Sequence, residues 1–175
     1  MARFEKDQYA VYGKVGVCRV VDCRTMSFGT AGEGEYYELS PLSDPGSSLY
    51  VPVDNEKLMA RLRPLMTRQE ISDTLTGVPE EDVVWIDEKS QRNSRFHAIV
   101  VGGDRYKLLR LIRCLYFRKQ ERVAAGKKLA AADEATLQEG LRLVEEEFSL
   151  SLELPRNQVA PYICACLDKE LAGAE

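Results

Sequence analysis

The pattern of hydrophobic residues changes near residue 66, and this change limits the chain to a two-part fold. Residues 8–53 contain short runs rich in Val, Tyr and Leu, separated by loops rich in Gly, Pro and Ser. Such runs are typical of a small antiparallel sheet or barrel. Beyond that point the hydrophobic residues recur with helical spacing. The sequence therefore predicts an α+β fold, with a β domain at 1–66 and a bundle of four or five helices at 67–175.

Local signals place the elements inside the two domains. Strands are expected at 8–12, 17–21, 35–39 and 49–53. Thr67 and Glu70 have the spacing of a capping box, and Asp104 follows Gly102–Gly103 as the N-cap of another helix. Asp133 is expected to cap a helix that ends near residue 150. Pro155 is expected to begin or precede a last helix, which ends near residue 171.

Charge is strongly segregated along the chain. The net charge of -4 hides a block at 89–128 that carries 12 basic and 2 acidic side chains. The flanking segments, 67–88 and 129–175, are acidic. Basic blocks usually bind polyanions, and nucleic acid is the first candidate. The alternative is that the acidic flanks fold back and neutralise the block.

Within this block, residues 104–122 predict an amphipathic helix. One face carries apolar side chains, namely Leu108, Leu109, Leu111, Ile112, Leu115 and Tyr116. The opposite face carries Lys107, Arg110, Arg113 and Arg118. Most charges on that face have the same sign, with Glu121 as the exception, whereas a merely soluble helix usually mixes signs. This favours a polyanion-binding face over an ordinary solvated one.

The only tryptophan, Trp85, raises a question that the sequence alone leaves open. Asp82, Asp87 and Glu88 surround it, and Lys89 lies just beyond. Trp85 is either a core residue or the edge of a contact surface. Carboxylates beside a phosphate backbone are repulsive, so a contact surface requires that they point away from it.

The sequence lacks the motifs of several enzyme classes. It has no phosphate-binding loop, dinucleotide fingerprint, zinc-protease helix or nucleophile elbow. Its one histidine, His97, lies in a largely apolar stretch, where a structural role is more common than catalysis. The five cysteines are odd in number and irregularly spaced, which favours reduced thiols over disulfides or zinc. We therefore expect a protein that is not an enzyme and holds no cofactor or metal.

The sequence also predicts a location. No apolar run approaches the roughly 20 residues that a membrane span needs. The N-terminal stretch at 1–10 is charged and lacks the apolar core of a signal peptide. We therefore expect a cytoplasmic protein with no membrane partner.

A series of short motifs resembles one family along nearly the whole chain. In the β domain they are Phe4 and the segments 11–13 (VYG), 16–18 (GVC), 36–39 (YYEL) and 50–55 (YVPVDN). In the helical domain they are 85–87 (WID), 102–116 (GGDRYKLLRLIRCLY), 119–122 (KQER), 126–129 (GKKL) and 131–134 (AADE). In this order and spacing they are similar to the CarD/CdnL family, whose N-terminal module is shared with the transcription-repair coupling factor.

This resemblance implies a bacterial regulator of transcription. It implies a Tudor-like β domain that docks on the RNA polymerase β subunit, partly through an exposed strand edge. It also implies a helical domain that contacts promoter DNA near the upstream edge of the transcription bubble, changing open-complex stability. Such proteins are generally monomeric and act on polymerase at the nucleoid.

The resemblance also assigns residues to these roles. Arg24 and Tyr50 match positions that contact polymerase, although relatives often have a basic residue where Tyr50 stands. Trp85 matches a tryptophan that wedges into the DNA minor groove. The side chains expected to contact DNA are Trp85, Lys89, Arg92, Arg95, Lys107, Arg110, Arg113 and Arg118.

Two other functions remain open from the sequence. The chain could be an adaptor whose β domain binds polymerase while its helical domain binds another protein. It could also be a small RNA-binding module, because Tudor- and SH3-like barrels serve many functions. Salt-sensitive DNA contact would favour the regulator, and a preference for structured RNA would favour the third possibility.

Overall fold

The computed structural model describes residues 3–76 and 83–173. The chain divides into two compact units, residues 1–65 and 66–175. The division lies close to residue 66, where the hydrophobic pattern changes. Asp82, one of the acidic residues that surround Trp85 in the sequence, lies outside the described residues. Of the helices in the described ranges, none is long and apolar enough to cross a membrane.

The N-terminal unit is an antiparallel sheet with one short helix. Its elements are β1 (Tyr9–Tyr12), β2 (Gly16–Ser27), a 3-10 turn (Gly29–Ala31), β3 (Glu33–Pro41), β4 (Leu49–Pro52), α1 (Glu56–Met59) and β5 (Leu62–Pro64). The spatial order of the strands is β4-β3-β2-β1-β5. The four expected strands are present, and β5, which pairs with β1, was not expected.

The N-terminal unit has its own hydrophobic core, centred on Tyr37. Tyr37 is fully buried, and its hydroxyl oxygen accepts hydrogen bonds from the backbone N–H groups of Arg3 and Phe4, at 2.6 and 3.1 Å. Phe4 packs edge-on against the same ring. A buried tyrosine hydroxyl needs such partners. These bonds fasten the segment before β1 to the sheet.

The C-terminal unit is a bundle of helices, as the sequence predicted. Its helices in the described residues are α2 (Arg68–Thr76), α3 (Lys89–Gly102), α4 (Arg105–Ala124), α5 (Ala131–Leu152) and α6 (Arg156–Gly173). The apolar face of α4 is buried as predicted, through Leu108, Leu109, Leu111, Ile112 and Leu115. On α5, a Cβ added at Gly140 would lie 3.1 Å from Ile112 Cγ1, so glycine permits close approach of α4 and α5.

Several predicted caps are confirmed. Thr67 and Glu70 exchange the two hydrogen bonds of a capping box, at 2.7 and 3.1 Å. Asp104 accepts from the Lys107 N–H, and Gly103 ends α3 in the left-handed region. The helix after Pro155 begins at Arg156.

The prediction that Asp133 caps a helix is wrong. The N-cap of α5 is Ala130, which makes no side-chain cap. Asp133 lies inside the first turn and is buried, where it forms an ion pair with Arg92. A carboxylate in the first turn of a helix is also favoured by the helix dipole. His97, which was expected in an apolar setting, is exposed on α3.

A buried carboxylate fixes the start of the helical unit. Glu147 on α5 accepts a hydrogen bond from the backbone N–H of Met66 at 2.9 Å. Its other oxygen accepts from Arg105 Nε on α4 at 3.0 Å. Glu147 is almost fully buried, so these bonds compensate the desolvation of its charge. They hold the first residue of this unit against α5.

Candidate functional site

The two residues expected to contact polymerase lie on one face of the N-terminal sheet. Cross-strand register places Arg24 on β2 opposite Tyr36 on β3, and Tyr50 on β4 opposite Glu38 on β3. The Arg24 guanidinium forms an ion pair with Glu38. Arg24 and Tyr50 are therefore linked through Glu38, which lies beside both.

Aromatic rings extend this face. Phe28 contacts Tyr36, with ring centres 5.0 Å apart, and Tyr50, with ring centres 5.2 Å apart. Phe28 and Tyr50 are both exposed. We call Phe28, Tyr36 and Tyr50 the sheet-face aromatic cluster. Exposed aromatic side chains that pack together are typical of protein-binding surfaces.

Sequence reasoning missed Phe28 and Tyr36. One signal for Tyr36 was present, because neighbouring residues in a strand point to opposite faces. Tyr37 is buried, so Tyr36 must face outward. No comparable signal exists for Phe28, which follows β2 and reaches the cluster through the turn at Gly29–Ala31.

Strand β4 is an edge of the sheet. In the described residues it pairs with β3 alone. The outer backbone groups of an edge strand can pair with a strand from another chain. Pro52 at the end of β4 has no N–H to offer, and proline is common on edge strands. The edge and the sheet-face aromatic cluster meet at Tyr50.

Trp85 lies half-buried before α3, in contact with both apolar and charged groups. Its ring packs edge-on against Phe96, with ring centres 6.3 Å apart. The guanidinium carbons of Arg92 and Arg118 lie 4.4 and 4.9 Å from its ring centre. Such cation–π contacts stabilise a ring in one orientation. Trp85 is thus a partly exposed ring that its neighbours hold in place.

The carboxylates next to Trp85 are occupied locally. Asp87 accepts a hydrogen bond from the Trp85 indole N–H at 3.1 Å. Glu88 is the N-cap of α3 and accepts from the backbone N–H groups of Ser90 and Gln91. The hydrogen bonds from Gln91 and Ser90 hold the pKa of the Glu88 carboxyl below its ordinary value. Glu88 therefore caps the start of α3, and Asp87 binds the indole N–H of Trp85.

Arg92 is built into the protein interior. Its guanidinium makes two hydrogen bonds to the Asp133 carboxylate, both 3.0 Å long. It also donates to the backbone carbonyls of Ile86 and Asp87, at 2.8 and 3.2 Å. The side chain is buried and these donors are engaged, while its predicted contact with phosphates stays a prediction.

Three of the other predicted basic residues line a cleft beside Trp85. The cleft has a volume of about 320 Å³. The lining residues in the described part of the chain are Thr74, Val83, Val84, Trp85, Arg110, Arg113, Cys114, Phe117, Arg118 and Glu121. Those on α4 recur with helical spacing, so a single stripe of α4 forms one wall.

The remaining predicted bases lie elsewhere on the surface. Lys89, Arg95 and Lys107 are exposed, and within the described ranges none of them lines the cleft. The structure thus brings Trp85 together with Arg110, Arg113 and Arg118. The buried Arg92 also contacts the Trp85 ring.

Ion pairs reduce the effective charge of the basic block. Arg113 lies 3.8 Å from Glu170, and Arg118 lies 2.9 Å from Glu121. Lys119 lies 2.9 Å from Glu134 on α5. Glu170 and Glu134 belong to the flanking acidic segment, so this segment neutralises part of the block, as the alternative interpretation of the charge pattern predicted.

The cysteines do not form a metal site in the described residues. No disulfide joins them, and no group of three or more candidate metal ligands is present in residues 3–76 and 83–173. Burial, together with the nearby Glu121 charge, raises the pKa of the Cys114 thiol to about 11. Cys114 is therefore a neutral, weakly nucleophilic wall of the cleft at pH 7.

Comparison with known families assigns the first of these units. Residues 4–66 match the model of the CarD-like/TRCF RID domain. The N-terminal unit is a CarD-like/TRCF RID domain. The match confirms the family resemblance over this part of the chain, and it ends where the helical unit begins. No curated protein matches the chain.

The CarD-like domain indicates a transcription-related protein that interacts with RNA polymerase. It contains both residues that the family resemblance assigned to polymerase contact, Arg24 and Tyr50. The matched region also includes the sheet-face aromatic cluster and the edge strand β4. The helical unit, with Trp85 and the cleft, lies outside the matched residues.

Proposed function

We propose that this chain is a bacterial, non-enzymatic regulator of transcription that connects RNA polymerase to promoter DNA. Its CarD-like domain docks on the β subunit of the polymerase. Its helical unit contacts DNA near the upstream edge of the transcription bubble and changes the stability of the open complex. It acts as a monomer in the cytoplasm, on polymerase at the nucleoid.

The geometry of the CarD-like domain supports the proposed docking surface. Strand β4 offers an open edge, and Tyr50 and Phe28 are exposed beside it. A strand of the β subunit that pairs with β4 would meet the sheet-face aromatic cluster with its side chains. Backbone pairing supplies affinity in such complexes, while side-chain contacts supply specificity.

The DNA contact rests on one observation, the fixed position of Trp85 beside three arginines. The ring is half-buried and held by Phe96, Arg92 and Arg118. A side chain that wedges between base steps must resist displacement, because unstacking costs about a few kcal/mol. Arginines beside it contribute phosphate contacts, which give affinity without reading the sequence.

Tethering explains how a weak DNA contact can matter. The acidic helices neutralise part of the basic block, so the helical unit is a poor general DNA binder. Once the CarD-like domain is docked, the helical unit encounters promoter DNA at a high effective concentration. The contact is strongest where DNA is already bent or opening, because part of the unstacking energy has then been spent.

The test is the lifetime of the open complex on a ribosomal-type promoter, with polymerase from the same organism. We expect the protein to change this lifetime and Trp85→Ala to abolish the change. The thermal stability of the variant is measured alongside. A loss well below the roughly 3–5 kcal/mol typical of deleting a buried aromatic ring assigns the effect to DNA contact. A larger loss would show that Trp85 acts mainly as a core residue.

A second candidate is an adaptor that binds polymerase and another protein without touching DNA. The observation that favours it is the pairing of Arg113 with Glu170 and of Arg118 with Glu121. An unchanged open-complex lifetime, together with demonstrated binding to the β subunit, would support the adaptor.

A further inference from the structure

The cleft beside Trp85 has the size and chemistry of a ligand site. Its volume of about 320 Å³ lies at the lower end of the range for small-molecule pockets. Trp85, Phe117, Val83 and Val84 provide aromatic and apolar walls. Sites of this kind combine such walls with a few polar groups that fix orientation.

The charges around the cleft favour an anion. Three arginines line it, Arg110, Arg113 and Arg118. Glu121 is the only acidic lining residue in the described part of the chain. Guanidinium groups bind phosphates through paired, directional hydrogen bonds. A ligand that fits therefore has a flat apolar part and a phosphate.

We propose that this cleft binds one nucleotide, with its base against the aromatic and apolar walls and its phosphate at the arginines. The proposal rests on the proposed contact with DNA and specifies it further, because an unpaired nucleotide at the edge of a bubble has this chemistry. A free nucleotide has the same chemistry, so the experiment must distinguish the two sources.

Arg118 is the side chain best placed to contact both the aromatic wall and the phosphate. Its guanidinium lies 4.9 Å from the Trp85 ring centre and 2.9 Å from Glu121. The Glu121 side chain is exposed, and ion pairs at such positions contribute little stability. A phosphate can therefore replace the Glu121 carboxylate at Arg118 while the guanidinium stays over the indole.

Trp85 is the only tryptophan in the chain, so its fluorescence reports directly on the cleft. The full-length protein is titrated with single-stranded oligothymidylate, with thymidine monophosphate and with a blunt duplex. We expect a saturable change in Trp85 emission with the single strand and a weaker response with the duplex. A saturable response to the monophosphate as well would identify a general nucleotide site, and its absence would identify the DNA strand as the source.

Matched substitutions separate the cleft from the general electrostatic field. Val84 lines the cleft and is 55% exposed, and Val123 is 56% exposed on α4 and does not line it. Val84→Glu places a carboxylate among the arginines and should weaken nucleotide binding about tenfold. Val123→Glu makes the same change in net charge and should leave binding nearly unchanged. Neither position is buried, so both variants should fold.

Two results would overturn the proposal. One is that neither the single strand nor the monophosphate gives a saturable change in Trp85 emission. The other is equal weakening by Val84→Glu and Val123→Glu, which would show a general charge effect. Open-complex lifetime is measured separately. If the protein changes this lifetime but gives no saturable titration, the proposed function stands and only the nucleotide site is rejected.

Discussion

The guanidinium of Arg92 lies 4.4 Å from the centre of the Trp85 ring and makes two hydrogen bonds to the carboxylate of Asp133. The buried Arg92 side chain thus connects the start of α5 to the half-buried Trp85 ring. Asp133→Ala should leave a buried guanidinium without its counter-ion. We expect a loss of about 3–5 kcal/mol in unfolding free energy, measured by urea denaturation, and a shift in Trp85 emission.

The control for this prediction lies on the same helix. Glu139 forms a surface ion pair with Arg142, and Glu139→Ala should cost at most about 1 kcal/mol. The double variant Arg92→Met with Asp133→Leu removes both charges and should be more stable than Asp133→Ala. Equal losses in Asp133→Ala and Glu139→Ala would contradict a buried ion pair.

Charge reversal on α4 tests the proposed DNA-binding face. Arg113 is a poor choice, because its side chain is only 12% exposed and lies near Glu170. Lys107 and Arg110 are more accessible, so the double variant Lys107→Glu with Arg110→Glu should weaken binding to forked promoter DNA. Each lost phosphate contact should also reduce the slope of log K against log salt by about 0.9.

The control changes the same number of charges elsewhere on the helical unit. Arg142 and Arg156 are exposed and form surface ion pairs. Reversing both should leave the salt slope unchanged. If this pair of substitutions weakened DNA binding as much as the α4 pair, the effect would come from net charge and the DNA face would lie elsewhere.

Tyr50 and Tyr9 offer a matched pair for testing the proposed docking surface. Tyr50 is 38% exposed on the edge strand β4, and Tyr9 is 39% exposed on β1. Tyr50→Ala removes one ring of the sheet-face aromatic cluster, and aromatic anchors in interfaces are often worth 1 kcal/mol or more. We expect Tyr50→Ala to weaken binding to the isolated β subunit about tenfold. Tyr9→Ala should bind like the unaltered protein, and the reverse order would place docking on β1.

Ionisation of Cys114 should destabilise the protein at high pH. The pKa of its thiol rises from 9.0 to about 11 on folding, because burial disfavours the thiolate. Between these values the unfolded chain loses the proton first, so stability falls as pH rises, by up to about 3 kcal/mol. Cys114→Ala should flatten this part of the pH profile relative to the unaltered protein. Identical profiles would contradict the burial of the thiol.

Local patterns in the sequence predicted local structure well. The capping box at Thr67 and the cap at Asp104 depend on partners three residues away, so the sequence displays them directly. The apolar face of α4 follows from helical periodicity alone. Strand β5 was missed because three residues carry no periodic signal and the strand is defined by its pairing with β1.

The site depends on partners that lie far apart in sequence. Arg92 and Asp133 are separated by 41 residues, so nothing near Arg92 indicated that it would be buried. Asp133 was predicted to be a helix cap because nothing near it in the sequence indicated that its partner would be Arg92. The sequence could place a tryptophan among charged residues, but it could not show which guanidinium groups would lie over the ring.

The hydrogen bond from Met66 to Glu147 has a consequence for how the two units can be joined. Residues inserted between Leu65 and Met66 would leave this bond intact. Residues inserted between Met66 and the start of α2 would pull the Met66 N–H away and remove one hydrogen bond from the buried Glu147 carboxylate, which would keep its ion pair with Arg105. Natural variation in the length of the connection should therefore be confined to the N-terminal side of Met66, and a separately expressed helical unit should begin no later than that residue.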